Sequence, residues 1–200
     1  MKKRTMTVAA LSMCAFAFGQ SNNSVVNQTG NANSSVVTQT GNINESLVKQ
    51  TGNTNTVTVD QDGVDNDSTV NQDGNNPDQS VAPGGRDNIA TVSQTGDGNL
   101  SDVDQTAMMH RSGVLQIGDD NSSRIIQVGD TNEAYQTQIG DSNFAGAYQN
   151  HNDGGGSGNV STQTQTGNSN GTGIIQDGIT HWVGTTIASP LPHAPTRGYS

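Results

Sequence analysis

Residues 33–55 read NSSVVTQTGNINESLVKQTGNTN, and this stretch contains the rule by which most of the chain is built. Asparagine, a small residue, valine, glutamine and glycine follow one another at alternate positions, and the series occurs twice, 11 residues apart. Gln39 and Gln50 are each followed by glycine two residues later and by asparagine five residues later. A fixed period of this kind is typical of repeat architectures, so it is the period that predicts the fold.

The 11-residue step continues in both directions from this stretch. Counted from Gln28, 13 of 14 positions hold glutamine, with Pro83 as the exception and an insertion of five residues near 153–157. The glutamines are Gln28, Gln39, Gln50, Gln61, Gln72, Gln94, Gln105, Gln116, Gln127, Gln138, Gln149, Gln165 and Gln176.

Two further columns keep the same phase. Glycine follows two residues after the glutamine position at Gly30, Gly41, Gly52, Gly63, Gly74, Gly85, Gly96, Gly118, Gly129, Gly140, Gly167 and Gly178. Asparagine follows five residues after it at Asn33, Asn44, Asn55, Asn66, Asn88, Asn99, Asn121, Asn132, Asn143 and Asn170. Ala107 and His151 stand in the glycine column, and His110 stands in the asparagine column.

The spacing within a unit predicts a β-strand. Valine or isoleucine mostly lies two residues before the glutamine, and a small residue mostly lies four before it, so the repeated residue types alternate with mostly polar positions. A period of two indicates a strand with one buried face. Glycine reaches positive φ without steric cost, and asparagine tolerates that region better than most residues, so the end of each unit is predicted to turn.

The predicted fold class is all-β: a β-solenoid, or cross-β stack, of 11-residue strand-turn units. Two units form a rung of 22 residues, and 14 units form about seven rungs, so the column would be roughly 34 Å tall at about 4.8 Å per rung. Stacking places glutamine over glutamine and asparagine over asparagine as amide ladders, while valine and the small side chains pack between the two sheets.

The composition excludes an ordinary globular core. Only 29% of the residues are hydrophobic, and the formal net charge is −10. A chain this polar either stays disordered or gains its stability from backbone pairing and repetition. The excess of acidic residues argues against nucleic acid or anionic lipid as a partner.

Residues 1–19 are predicted to be a signal peptide. Lys2, Lys3 and Arg4 precede a short apolar run over 7–18, which is too short to cross a bilayer. A lipoprotein signal ending at Cys14 is the alternative, but Met13 is bulky where a small residue is needed. Cys14 is the only cysteine, so the exported chain would have no thiol. No other segment predicts a transmembrane helix.

The predicted organisation is therefore a signal peptide over 1–19, a repeat domain over 20–178 and a C-terminal tail over 179–200. The tail contains Trp182 and three prolines and departs from the repeat. It is predicted to be a non-repeating cap, a surface anchor or a disordered end.

The repeat resembles that of the curlin family, commonly written Ser-x5-Gln-x-Gly-x-x-Asn-x5-Gln. Asn33, Gln39, Gly41, Asn44 and Gln50 match its spacing, with Asn33 where the family usually has serine, and the match recurs over residues 22–178. A single Gln-x-Gly-x-x-Asn would carry little information, whereas 14 units in phase are highly specific.

The resemblance implies a secreted structural subunit of an extracellular, curli-like functional amyloid fibre that serves biofilm matrix and surface adhesion. It implies self-association into fibres, a nucleator or partner curlin subunit, an outer-membrane export channel, and the ladder residues as the polymerising core. Curlins often begin with a Gly-rich targeting stretch, which residues 20–23 do not provide. Glycine in almost every half-repeat looks more like the minor, nucleating subunit than the major one, and this choice stays open.

Other functions are weighed against the fibre. Acidic residues cluster or recur in turns, which would suit calcium binding, but the Gly-rich nonapeptide of calcium-binding β-rolls is absent. The alternative is that these residues are gatekeepers, which slow premature aggregation during export. Pro77 and Pro83 would act similarly, because proline removes a backbone donor from the sheet. These acidic residues are Asp60, Asp62, Asp65, Asp67, Asp73, Asp97, Asp119, Asp130 and Asp141. The four histidines, His110, His151, His181 and His193, have no zinc-site spacing. No catalytic, metal or cofactor site is predicted.

A soluble, capped solenoid that binds ice or a surface is the remaining alternative. Thr29, Thr40, Thr51, Thr95 and Thr166 follow their glutamines, as a threonine array would require. The column is interrupted at Asp62, Asp73, Ile117, Val128 and Ile139, which favours the fibre.

Overall fold

The computed structural model describes residues 21–74, 87–151, 158–178 and 181–189, and every regular element within these ranges is a β-strand. The strands are β1 (Asn23–Asn31), β2 (Ser34–Asn42), β3 (Glu45–Asn53), β4 (Thr56–Val64), β5 (Asp67–Asp73), β6 (Ile89–Thr95), β7 (Leu100–Met108), β8 (Arg111–Ile117), β9 (Ser122–Asp130), β10 (Glu133–Ile139), β11 (Phe144–His151), β12 (Val160–Thr166), β13 (Gly171–Asp177) and β14 (Trp182–Ala188).

The 14 strands form two parallel sheets of seven. The odd-numbered strands make one, here the odd sheet, and the even-numbered strands make the other, the even sheet. Each strand pairs with the strand two further along the chain, and equivalent residues are in register, as in Gln28 with Gln50 and Gly30 with Gly52. Consecutive strands therefore lie in opposite sheets and form one rung, and seven rungs stack into the column. The predicted all-β solenoid is confirmed.

The core lies between the sheets and is built from one face of every strand. Along β4, Val57, Val59 and Gln61 are fully buried while Thr56, Thr58 and Asp60 are exposed. The buried aliphatic column contains Val48, Val59, Val70, Val92, Val103, Val114 and Ile125. This is the alternation that the period of two predicts.

The turns need two residues with positive φ. The first is the repeat glycine: ten of them have φ between 90° and 135°, and a Cβ at Gly30 would overlap the carbonyl oxygen of Gly52 in the next rung. The second is the residue just before the asparagine position. Among the described residues its φ is near 60° at Ala32, Ile43 and nine similar positions, which include Asp87 and Gly98. The asparagine itself points into the core, so the positive φ falls one residue earlier than the sequence suggests.

The unit around Pro83 is passed over by the strand pairing. Gln61 pairs with Gln94 and Gln72 with Gln105, which are 33 residues apart instead of 22. Residues 75–86, including Pro77, Pro83 and Gly85, lie outside the described residues. Gly74 precedes this segment and is buried, and its N–H donates to the carbonyl oxygen of Thr51 at 2.8 Å.

The fourteenth strand comes from the segment assigned to the tail. β14 pairs with β12 in the even sheet and places Ile187 beside Gln165, where a further repeat would have glutamine. The five-residue insertion shifts the register as the sequence indicates, because Gln138 pairs with Gln165. Residues 1–20, 152–157, 179–180 and 190–200 lie outside the described residues, and with them the signal peptide and most of the tail. In the described ranges no helix is long and apolar enough to cross a membrane.

Candidate functional site

Two ladders of glutamine amides run along the column, one for each sheet. In every step Nε2 of one glutamine donates to Oε1 of the glutamine in the next rung, at 2.7 to 3.0 Å. The odd-sheet ladder runs from Gln28 to Gln176, and the even-sheet ladder runs from Gln39 to Gln165. All steps point the same way, so the ladders give the column a direction.

The same amides also join the two sheets. Nε2 of Gln50 donates to the carbonyl oxygen of Ser34 at 3.0 Å, and Nε2 of Gln127 donates to that of Arg111 at 3.1 Å; each acceptor is 16 residues earlier, on the facing strand. Buried amides without partners would cost about 1–3 kcal/mol each, so this pairing is what allows glutamine in a core. Gln50 and Gln127 are fully buried.

Asparagine ladders lie at the turns. Oδ1 of Asn99 accepts the main-chain N–H and an Nδ2 hydrogen of Asn121, both at 3.1 Å. Nδ2 of Asn121 also donates to the carbonyl oxygen of Gly140 at 2.7 Å. Most of the asparagines tie the start of one strand to the glycine turn of another in this way, which explains why the two residue types recur together. Nδ2 of Asn132 and of Asn170 instead donates to the carbonyl oxygen four residues earlier, at Val128 and Thr166.

The structure adds three residues to these turn ladders, Asn22, Asn159 and His181, and His110 takes the place that the sequence gives it. Asn22, Asn159, His110 and His181 take asparagine positions: Oδ1 of Asn22 accepts the N–H of Asn44, and Oδ1 of Asn159 accepts the N–H of His181. The three additions could have been found from the sequence by stepping 11 residues beyond the asparagines already counted, since 22, 159 and 181 all fall on that step.

His110 is a buried imidazole within a turn ladder, with 1% of its surface exposed. Its Nε2 lies 2.8 Å from the carbonyl oxygen of Thr106, and its Nδ1 accepts the N–H of Asn132 at 3.3 Å. These contacts require a neutral ring with the proton on Nε2. Burial lowers the pKa of His110, which acts in the same sense.

The small-residue column holds buried hydroxyls. Oγ of Ser46, Ser68, Ser101 and Ser161 has no hydrogen-bond partner among the described residues. Alanine fills the equivalent place at Ala90, Ala134 and Ala145. Ser112 and Ser123 of the same column do form hydrogen bonds: Oγ of Ser112 accepts from Nε2 of Gln105, and Oγ of Ser123 donates to Oε1 of Gln136. Small size is therefore what most members of the column share, and a hydrogen bond is not required at every position.

Both ends of the column are open within the described part of the chain. Val26 of β1 is 38% exposed, whereas the valines at the same place in the next two rungs, Val48 and Val70, are fully buried. At the other end the inward residues of β14 are half-buried. Strands β1, β2, β13 and β14 each have a sheet neighbour on one side only, so each presents one edge of unpaired backbone groups.

Stacking in register brings acidic side chains close to one another. The pKa of Asp67 is raised by burial and by Glu45 in the adjacent strand. The pKa of Asp104 is raised by burial and by Asp102, which lies two residues earlier on the same strand. In one turn column Oδ1 of Asp119 accepts the N–H of Asp97 at 2.9 Å. Among the described residues no three His, Cys, Asp or Glu side chains are grouped so as to hold a metal ion.

A shallow groove of about 300 Å³ lies on the outer face of the odd sheet, lined mainly by Ile126, Phe144, Tyr148 and Ile175. Its one charged lining residue, Arg124, forms an exposed ion pair with Asp102 at 3.5 Å. The groove offers no pair of groups for acid-base chemistry. On the even sheet, Ile117 and Ile139 interrupt the threonine column between Thr95 and Thr166.

Comparison with known families gives one match. The sequence model of the Curlin associated repeat matches residues 37–63, 44–74, 85–118 and 118–150, which together cover more than half of the chain. No curated protein and no solved structure matches.

Proposed function

Because the chain belongs to the curlin family, whose members are structural fibre subunits, we propose that it assembles into an extracellular functional amyloid fibre by cross-β stacking of whole columns. The fibre would serve biofilm matrix and surface adhesion. The proposal includes a nucleator or partner curlin subunit and an outer-membrane export channel, with residues 1–19 as the export signal.

The observation that carries the proposal is an in-register stack with two open ends. Among the described strands, every internal one has a partner above and below, whereas β1, β2, β13 and β14 each have a partner on one side only. An unpaired edge is a template for another strand, and proteins that stay monomeric cover or charge such edges. The glutamine and asparagine ladders extend this preference to the side chains, because each amide at an end lacks the partner that internal amides have.

The first test is fibre formation by the mature chain. We expect thioflavin-T fluorescence to rise after a lag, and the product to diffract with spacings near about 4.7 and 10 Å. A chain that stays monomeric and folded at high concentration would contradict the proposal and favour the soluble, capped solenoid.

A matched pair of variants on β1 tests whether the open end is the growing surface. Val25 and Val26 are 41% and 38% exposed, but Val25 points outward whereas Val26 points towards the core at the end of the column. Val26→Lys would bury an unpaired ammonium group when a second column stacks on β1, which costs several kcal/mol. We expect its critical concentration for fibre formation to rise by more than about tenfold.

Val25→Lys is the control, because its side chain remains in solvent after stacking. It should form fibres at about the wild-type concentration. Equal effects of the two variants, measured as soluble protein left after sedimentation, would show that the end at β1 is not an assembly surface.

A further inference from the structure

We propose that the junction between two copies of this chain is unequal in its two halves: β13 continues the odd sheet onto β1 of the next copy, while Ile187 on β14 interrupts the even-sheet glutamine ladder against Gln39. This inference rests on the proposed function. It assigns the second copy a register and makes the junction the weak rung of the fibre.

The odd-sheet half is complementary at every inward position. The inward residues at the end of the column are Thr172, Ile174, Gln176 and Gly178, and those at its beginning are Ser24, Val26, Gln28 and Gly30. Stacked in the register that all odd-sheet pairs share, they place small polar on small polar, aliphatic on aliphatic, glutamine on glutamine and glycine on glycine. The amide of Gln176 would then donate to Gln28 as Gln149 donates to Gln176 at 2.7 Å.

The even-sheet half differs in residue type at all four inward positions, although valine beside Ser35 also occurs within the column, at Val57. The inward residues of the last rung are Val183, Thr185, Ile187 and Ser189, and those of the first are Ser35, Val37, Gln39 and Gly41. Within the column Oε1 of every later even-sheet glutamine accepts Nε2 of the preceding one, as Gln61 accepts from Gln39 at 2.8 Å. Ile187 has no donor to give, so the Oε1 of Gln39 loses this partner when the junction closes over it.

The turn ladders continue across the same junction. Asn170 stands at the start of β13 as Asn22 stands before β1, so asparagine follows asparagine. His181 would meet Asn33 of the next copy, and His110 shows that an imidazole in this position accepts the N–H of the following asparagine. The interruption is therefore confined to the even-sheet strand β14.

The first experiment restores the missing amide. With Ile187→Gln, both glutamine ladders would be continuous from copy to copy, and we expect the critical concentration of the mature chain to fall by about tenfold, equivalent to about 1.4 kcal/mol per junction. Thr186→Gln adds the same side chain to the outer face of the same strand, where it cannot enter the ladder. Its critical concentration should stay within about twofold of wild type.

A double-mutant cycle identifies the partner residue. Gln39 and Ile187 are in the first and last rungs of one column, so any direct coupling between them must join two copies. The gain from Ile187→Gln should disappear in a Gln39→Val background, and the cycle subtracts the loss that Gln39→Val causes within its own chain.

The two proposals fail differently. The proposed junction would be overturned if the wild type forms fibres but Ile187→Gln does not lower the critical concentration, or lowers it just as much in the Gln39→Val background. Either result would leave the fibre function intact. A wild-type chain that forms no fibres at any concentration would remove the proposed function, and the junction with it.

Discussion

At the scale of single residues, the column restricts the residue type at a few positions and accepts many types at the others. Glycine is required where φ exceeds 90° and the next rung leaves no room for a Cβ, as at Gly30 and Gly118. The residue two positions later also has positive φ, yet it varies among Ala32, Ile43 and Thr54. The difference lies in space, because the left-handed region near 60° is costly but accessible to any residue, whereas the glycine position is blocked by backbone.

Ala107 is one of two exceptions in the glycine column, and it predicts a stabilising substitution. Its φ is 89°, where an L-residue pays strain. We expect Ala107→Gly to raise the free energy of unfolding by about 1 kcal/mol, and Gly118→Ala to lower it by at least about 2 kcal/mol because the new Cβ would overlap the carbonyl oxygen of Gly140. Guanidinium denaturation measures both changes.

Gly171→Ala provides the control for that pair. An added Cβ at Gly171 would have no heavy atom within 4 Å, and its φ is not positive. Its unfolding free energy should therefore stay within about 0.5 kcal/mol of wild type. If Gly118→Ala is equally harmless, the close approach between rungs is not what selects glycine.

His110 predicts a pH dependence of known sign. The folded pKa lies below the ordinary value of 6.5, so below that pH the unfolded chain takes up a proton that the folded chain resists. Stability is thus complete above about pH 6.5 and falls as the pH drops further. His110→Asn supplies a side chain that does not titrate, and we expect its stability advantage over wild type to grow as the pH falls from 7.5 to 5.

In the difference between His110→Asn and wild type, the contributions of other titrating groups cancel. Asp67 and Asp104 have raised pKa values, so they stabilise the folded chain as the pH falls, but they do so equally in both proteins. A difference between His110→Asn and wild type that does not change with pH would show that the ring is not held neutral.

At the scale of the element, the repeating connection is Gly-x-x-Asn, and in sequence it is lengthened between Gly74 and Asn88. Most turns place two residues between the inward glycine and the inward asparagine. Gly74 follows β5, and the next described residue is Asp87, whose φ of 62° matches the second turn residue elsewhere. Asn88 then resumes the turn ladder through its N–H, which donates to Asn55.

Deleting residues 76–86 should therefore leave the column intact. The deletion joins Asn75 to Asp87 and restores the ordinary spacing between Gly74 and Asn88. Shortening the connection lowers the entropy lost on folding, so we expect an increase of about 1–2 kcal/mol in the free energy of unfolding. Far-ultraviolet circular dichroism should show the same total β signal per molecule for the deletion variant as for the wild type. If the variant instead loses about one strand's signal, the unit around Pro83 belongs to the column.

At the scale of the whole molecule, the period predicts the two sheets, their register and the inward residues, because one spacing rule determines all three. It does not predict which units pair as strands of the column. The unit around Pro83 has Val81 and Gly85 in phase, and only the missing glutamine and the prolines distinguish it. Conversely, β14 has none of the repeated types at its inward positions. It is recruited by the backbone groups that β12 offers at its edge, a contribution that side-chain patterns do not record.

The pairing that passes over residues 75–86 has a consequence for the two outer faces of the column. Because units alternate between sheets, adding or omitting an odd number of them exchanges the faces of every unit that follows. With one more unit in the column, Arg124, Phe144 and Tyr148 would appear on the opposite side from where they are, although their own strands would be unchanged. The number of units in the column thus determines on which side the outward residues of the later units lie. A change in that number moves the surface containing Arg124, Phe144 and Tyr148 to the other side without altering a residue in it.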